Sequence, residues 1–268
     1  MTKLQAKAAG GQDGASEIVM HSRTIARVQA SQRCMKPTGQ IRLRLTTQVV
    51  LGGLLTAVAG FVDAIGYIGL GGLFASFMSG ASVSLGVGLG NGHWGPVYQA
   101  VMMIASFLTG VTFGTVLTGI TGIWALPTVL LLDGLFLAGA VLLAGSGAAM
   151  PTSILPVVAA MGVQNTALQP VNGIRLGVTF ITGTLVSLGQ ALGHALLGRP
   201  QAWHLGGHAL MWGALTAGAA AGAILHAKFG PMALLGPASL VTGLAMINAA
   251  VVLSADRSRH INWNPNDA

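Results

Sequence analysis

Apolar residues fill this chain in eight stretches, roughly 46–70, 73–91, 97–120, 124–145, 151–169, 177–198, 206–226 and 230–253. The breaks between them carry turn chemistry, among them "GNGHWGP", "TGIW", "GSGAAMP", "QPVNGIR", "GRPQAWH" and "AKFGP". Each stretch holds 19 to 25 residues. About 20 residues of helix cross the ~30 Å hydrocarbon layer of a bilayer. The pattern predicts an all-α, polytopic transmembrane helix bundle.

Composition removes the soluble alternatives. Apolar residues make up 53% of the chain, charged residues only 7%, and the mean hydropathy is +0.72. A soluble domain carries about 25% charge, so this chain cannot cover a water-facing surface. From Thr46 to Leu253 the charged residues are Asp63, Asp133, Arg175, Arg199 and Lys228.

The net charge of +7 gathers at the amino end, where residues 1–44 hold eight of the thirteen Lys and Arg. A basic cluster ahead of the first membrane helix keeps that end in the cytoplasm and attracts anionic lipid head groups. Nucleic acid binding calls instead for basic residues on a folded face, so it is not expected. Residues 1–45 read as a basic, mostly disordered cytoplasmic tail, poor in apolar periodicity. The late and long apolar start fits a signal peptide poorly. Cys34 is the only cysteine, which rules out an intrachain disulfide. The expected location is the bacterial cytoplasmic (inner) membrane with both termini inside.

The stretches fall into two sets. "FMSGASVSLG" at 77–86 returns as "FITGTLVSLG" at 180–189, with six of ten letters identical. "AGFVDA" (59–64) aligns with "MGVQNT" (161–166), which sets Asp63 against Asn165. An internal duplication follows, with repeats at 46–148 and 149–254 and a short cytoplasmic tail at 255–268. Eight full crossings make two parallel pseudo-symmetric halves of four. The alternative is six spans plus two re-entrant segments, 73–91 and 177–198, which would invert the halves.

Small residues recur every fourth position in those two segments: Ser76, Gly80, Ser84 and Gly88, then Thr179, Gly183 and Ser187. Positions four apart share a helix face, and such stripes let membrane helices approach closely. Gly110/Gly114 and Gly218/Gly222 have the same spacing. Two readings stand: tight scaffolding, or two stripes meeting near the pseudo-symmetry axis to line a path.

Polar groups inside the apolar stretches are the candidate site. A carboxylate at mid-membrane costs about 2.5–3.5 kcal/mol and normally faces a cavity or a partner. Asp63 is the first candidate for binding an ion or solute, with a hydrogen-bonded structural carboxyl as the alternative. Asp133, whose counterpart in the second repeat falls near Gly236, is the second candidate, with the weight on a structural role. Gln164 and Asn165 supply donors and acceptors, and Ser79 and Thr182 supply hydroxyls. His204 and His208 are four apart, but "HLGGH" lacks the Glu of a zinc protease. They read as interfacial histidines, and His194 as a helix-end histidine. "GVGLGNG" (86–92) has neither a strand before it nor an acid after it for a dinucleotide. No metal site, cofactor or catalytic constellation is expected, and an enzyme is not the reading.

The stretches "AGFVDAIGYIGLGGLFASFMSGASVSLGVGLG" (59–90) and "MGVQNTALQPVNGIRLGVTFITGTLVSLGQAL" (161–192) resemble the YoaK-type family of bacterial inner-membrane proteins. That family shows "G-x-x-D-A", a "TGN"-like element, "G-x-Q-N-A" and a threonine-rich "TG-T-L". Asp63, Gly80, Gln164, Asn165, Thr182 and Gly183 match it. Ala81 stands where the family has Asn, and Gln169-Pro170 where it tends to have basic residues. The resemblance spans about 46–253 and implies a multi-pass inner-membrane protein with a transporter-like role. The expectation is a secondary transporter or permease of a small solute coupled to protons or cations. The alternatives are a non-transporting assembly partner and a passive channel.

Overall fold

The structure, a computed structural model, describes residues 45–167, 181–198 and 202–261. The basic tail, Thr179, and the 169–176 loop lie outside the described residues. Eight helices account for most of what is described: α1 Leu45–Gly69, α2 Met78–Asn91, α3 Trp94–Thr121, α4 Ala125–Gly145, α5 Leu155–Gln164, α6 Ile181–Leu196, α7 Ala202–Phe229 and α8 Leu235–Ile261. A single turn, Met150–Ser153, precedes α5.

Two 3₁₀ turns, Gly122–Trp124 and Gly230–Leu234, join α3 to α4 and α7 to α8. Each opens on a glycine with positive φ, 54° at Gly122 and 58° at Gly230. Left-handed backbone suits glycine, and it stops the preceding helix.

Every predicted segment contains a helix, but the helices are not of equal reach. Five have 21 to 28 residues (α1, α3, α4, α7 and α8). Three apolar stretches are long enough to cross a bilayer, Thr47–Gly69, Trp94–Gly145 and Leu205–Ala255, and the last two each hold two helices. By contrast α2 has 14 residues, α5 has 10 and α6 has 16. At 1.5 Å per residue these cover about 21, 15 and 24 Å, short of a straight passage through ~30 Å. Residues 70–77, with positive φ at Gly71 and Gly72, take up chain that the apolar pattern assigned to helix. At the other end α8 runs to Ile261, beyond the predicted boundary at 254. "SADRSRHI" contains no Gly or Pro to stop it.

The predicted halves are interleaved. Helix α1 packs on α7, and α3 packs on α5, while α4 and α8 pack on each other. Gly218 and Gly222 of α7 lie against the carbonyls of Ala57 and Phe61, and Gly60 lies against that of Leu215. In the second pair, Gly110 lies against the carbonyl of Ala159 and Gly162 against that of Phe107. The partners correspond, 102 positions on for α1 to α5 and 108 positions on for α3 to α7. In both pairs residue numbers rise together along the contact, so α1 runs parallel to α7 and α3 parallel to α5. Helices α4 and α8 are antiparallel, with Gly134 against Ala238 and Thr242, and Gly145 near Met232. Leu55, Val58, Val62, Leu130, Leu137, Val157, Val158, Met161 and Val241 fill the core between these pairs.

Among the described residues the two small-residue stripes lie on helices with different neighbours, α2 packing on α3 and α6 on α7. A methyl group placed on Gly80 or Gly183 meets nothing within 4 Å. Gly88 alone of the glycines on these stripes is in a close contact, with Val97 and the His93 carbonyl at the α2–α3 turn. Ser84 and Ser187 are half-buried.

Candidate functional site

Asp63 sits on α1 six residues before its end and is 4% exposed. The chain leaves α1 at Gly69 and doubles back along it. Ser76 then meets the carboxyl twice, its N–H donating to one oxygen at 2.7 Å and its hydroxyl to the other at 2.5 Å. Phe74 packs between Tyr67, at a tilt, and Phe77, edge to face, with ring centroids 5.2 and 5.5 Å apart. Ala75 lies against Gly66, where a side chain would crowd its N–H at 3.2 Å. The carboxyl therefore pins the start of α2 about 9 Å short of the end of α1. Ser76, expected to be a packing residue, is the partner that Asp63 needs.

Gln164, 3% exposed, ties α5 to α1 by donating from Nε2 to the Leu55 carbonyl at 2.7 Å, while its Oε1 accepts nothing. Leu55 is two turns before Asp63, so Gln164 and Asp63 serve different levels of α1. Asn165 donates to the Met161 carbonyl at 2.6 Å, closing its own helix. Ser79 and Thr182 are exposed on the first turns of α2 and α6. These polar candidates do not converge on one point.

Asp133 differs from all of them. It is 0% exposed, and neither carboxyl oxygen has a hydrogen-bond partner. On α4 it lies about 12 Å from the start of a helix of about 31 Å. Buried Val129, Leu130, Gly134 and Leu137 share its face. Its neighbour Gly134 is the point where α4 crosses α8, at Thr242. No titratable side chain occurs on α5, on the single turn before it, or on α8 up to Ala255, and α3 carries only Tyr98, which is exposed. The carboxyl is an acceptor in an apolar seam with nothing to accept from.

Thr242 escaped the sequence reading. Its hydroxyl donates to the Ala238 carbonyl at 2.8 Å. The signal was present, because "LLDGL" (131–135) echoes "LVTGL" (240–244), which matches Asp133 to Thr242 rather than to a residue near Gly236. Among the described residues no three His, Cys, Asp or Glu side chains gather as metal ligands.

A family model described as "Protein of unknown function (DUF1275)" matches residues 51–247, close to three-quarters of the chain. The chain belongs to the DUF1275 family. Two curated relatives agree with that assignment. UPF0700 transmembrane protein YoaK of Bacillus subtilis (strain 168) is 33% identical over 141 residues, 50% of this chain and 63% of that protein. UPF0700 transmembrane protein RA0705 of Rhizobium meliloti (strain 1021) is 30% identical over 209 residues, 77% of this chain and 86% of that protein. No solved structure matches the chain. This DUF1275 member is accordingly a multi-pass helical membrane protein, as its relatives and its long apolar helices indicate.

Proposed function

We propose that this protein is a secondary transporter of a small solute in the bacterial inner membrane, with both termini cytoplasmic and Asp133 as its proton- or cation-coupling group. The observation that carries the reading is the fully buried carboxyl of Asp133, without a partner, at the α4–α8 crossing. An uncompensated charge there costs several kcal/mol. A proton or cation on the carboxyl removes that cost, and its loss changes the seam between α4 and α8. That is the coupling a transporter needs.

Helix direction supports an inverted-repeat arrangement. In this topology α3 and α4 reverse across their 3₁₀ turn, and α7 and α8 across theirs. Combined with the parallel α1–α7 and α3–α5 pairs and the antiparallel α4–α8 pair, this makes α1 oppose α5, α3 oppose α7 and α4 oppose α8. The topology proposed is six crossings, α5 making its passage together with the turns on either side of it (150–167), with α2 and α6 entering from opposite sides and returning. It rests on an internal duplication, for which the paired glycine crossings are the support. Transporters of inverted-repeat design place their sites near mid-membrane where the repeats meet. Asp133 has that position. Asp63, held by Ser76, anchors the α2 re-entry.

The test uses the full chain in liposomes with an entrapped pH-sensitive dye. Amino acids, sugars and organic acids are added one at a time. At least one class moves protons with the wild type, and Asp133→Asn stops it. Wild-type proton movement in Asp133→Asn, or none with any class in the wild type, removes the proposal. Ion conductance without solute coupling identifies a passive channel instead.

A further inference from the structure

The ion that Asp133 takes depends on how many oxygens can surround it. A hard metal cation draws about six to eight oxygens, and sodium sites in transporters take theirs largely from carbonyls freed where a helix unwinds or ends. Helix α4 runs unbroken from Ala125 to Gly145, and α8 from Leu235 to Ile261, so the α4–α8 seam frees no carbonyl beside Asp133. Where α5 ends, the carbonyls of Met161, Val163 and Gln164 each accept hydrogen bonds from the turn that follows. Side-chain oxygens are as scarce. The one at the crossing is the Thr242 hydroxyl, which donates to the Ala238 carbonyl. Among the described residues, Gln164 Oε1 is the only buried side-chain oxygen without a partner outside Asp133 itself. Counted with both carboxyl oxygens, these make four, short of a metal's shell. Asp133 is 0% exposed, so bulk water does not reach it to supply the rest.

A proton needs one oxygen and no shell. We infer that Asp133 takes a proton and no metal cation, and that the closed α4–α8 seam is its protonated state. This rests on Asp133 being the coupling group, and it names the ion. Buried Val129, Leu130 and Leu137 share its face, and such apolar walls tolerate a neutral acid far better than a bare carboxylate. No neighbouring charge replaces the proton. Helices α3, α5 and α8, both 3₁₀ turns and the single turn before α5 pack on α4. Their titratable groups are Tyr98 of α3, which is exposed, and those of α8 from Asp256 onward, about 21 Å along the helix from Thr242. Asp63 shows the other solution, because Ser76 gives its carboxyl two donors. With no donor of its own, Asp133 releases its proton only when the seam parts and water replaces the apolar wall.

Thermal unfolding of the full chain in non-ionic detergent, followed against pH in choline, sodium and potassium chloride at equal concentration, tests this without any solute. Where the folded chain keeps a proton that the unfolded chain has lost, the folded-to-unfolded ratio falls up to about ten-fold per pH unit as pH rises. That corresponds to a fall in Tm of about 3–5 °C per unit. Asp133→Asn and Asp133→Val both remove the titrating group and lose this dependence, and either one suffices if the other fails to fold. The wild-type curve is the same in the three salts. Stabilisation by sodium or potassium over choline, present in the wild type and absent from the variants, overturns the inference, because a bound cation stabilises by mass action. A pH dependence equal in the wild type and both variants overturns it as well. Failure here is distinct from failure of the transporter reading. Sodium-driven uptake that Asp133→Asn abolishes keeps the coupling group and ends the proton assignment. A pH dependence lost with Asp133, in a protein that moves no solute, keeps the proton and ends the transporter.

Discussion

Replacing Gly110 or Gly218 with alanine forces a β-carbon onto a carbonyl oxygen of the facing helix, that of Ala159 or that of Ala57. Both fall inside the 3.0 Å that real β-carbons respect. The obstructing atoms are backbone, so no rotamer relieves the clash and the helices must part. A gap of 0.5–1 Å forfeits about a quarter to a half of each pairwise attraction along the crossing. In hydrocarbon, helix association rests on such packing. Overpacking of this kind costs about 1–3 kcal/mol. Alanine also returns about 1 kcal/mol of helix propensity, which would blur a comparison with wild type alone. Gly80→Ala and Gly183→Ala receive the same return and meet nothing within 4 Å. The difference between the two sets is therefore the overpacking itself. Unfolding in mixed micelles with a rising fraction of sodium dodecyl sulfate measures it. Gly110→Ala and Gly218→Ala should fall about 1–3 kcal/mol below the two control variants, and by similar amounts. Four variants of equal stability would show that the close crossings do not hold the bundle together.

Ser76→Ala strips one of the two donors from Asp63 and should destabilise by about 1–3 kcal/mol, while Ser76→Thr, which retains the hydroxyl, keeps most of that; equal unfolding midpoints would refute the anchor. Gln164→Leu loses the bond to the Leu55 carbonyl but also removes an unpartnered oxygen, so its net change stays within about 1 kcal/mol. Gln164→Glu sets an acceptor against an acceptor and should cost about 2–3 kcal/mol in the same assay. Asp133→Val removes a buried polar group without partners and should raise stability by about 1–3 kcal/mol while abolishing solute-driven proton movement. A destabilised Asp133→Val would mean that the carboxyl has a structural partner.

The long helices were legible because an apolar run bounded by turn residues has a length, and length in a membrane is a geometric statement. Segments 73–91 and 177–198 show the limit of that reasoning, because an apolar run does not reveal where its helix begins, and the turns and bends at 70–77 are as apolar as the helices beside them. Small-residue spacing has a similar limit. Gly110 and Gly80 sit in equally good four-residue series, yet one is pressed against Ala159 and the other faces open space. Periodicity tells which residues share a face and not whether anything covers it. For the acids, burial was readable and partnership was not. Asp63 gains its two donors from a residue thirteen positions away. Asp133 has none.

The interleaving of α1 with α7 and of α3 with α5 bears on how the protein is made. When α1 leaves the ribosome, the surface on which it will rest does not yet exist. About 160 further residues must be synthesised before α7 is complete, roughly 8–30 s at ordinary elongation rates of 5–20 residues per second. For that interval Gly60 and its neighbours lie open to lipid, to other nascent helices and to membrane proteases. Chains truncated before residue 211 never acquire the missing surface, so quality control can recognise an unfinished copy by a first helix that still has no companion.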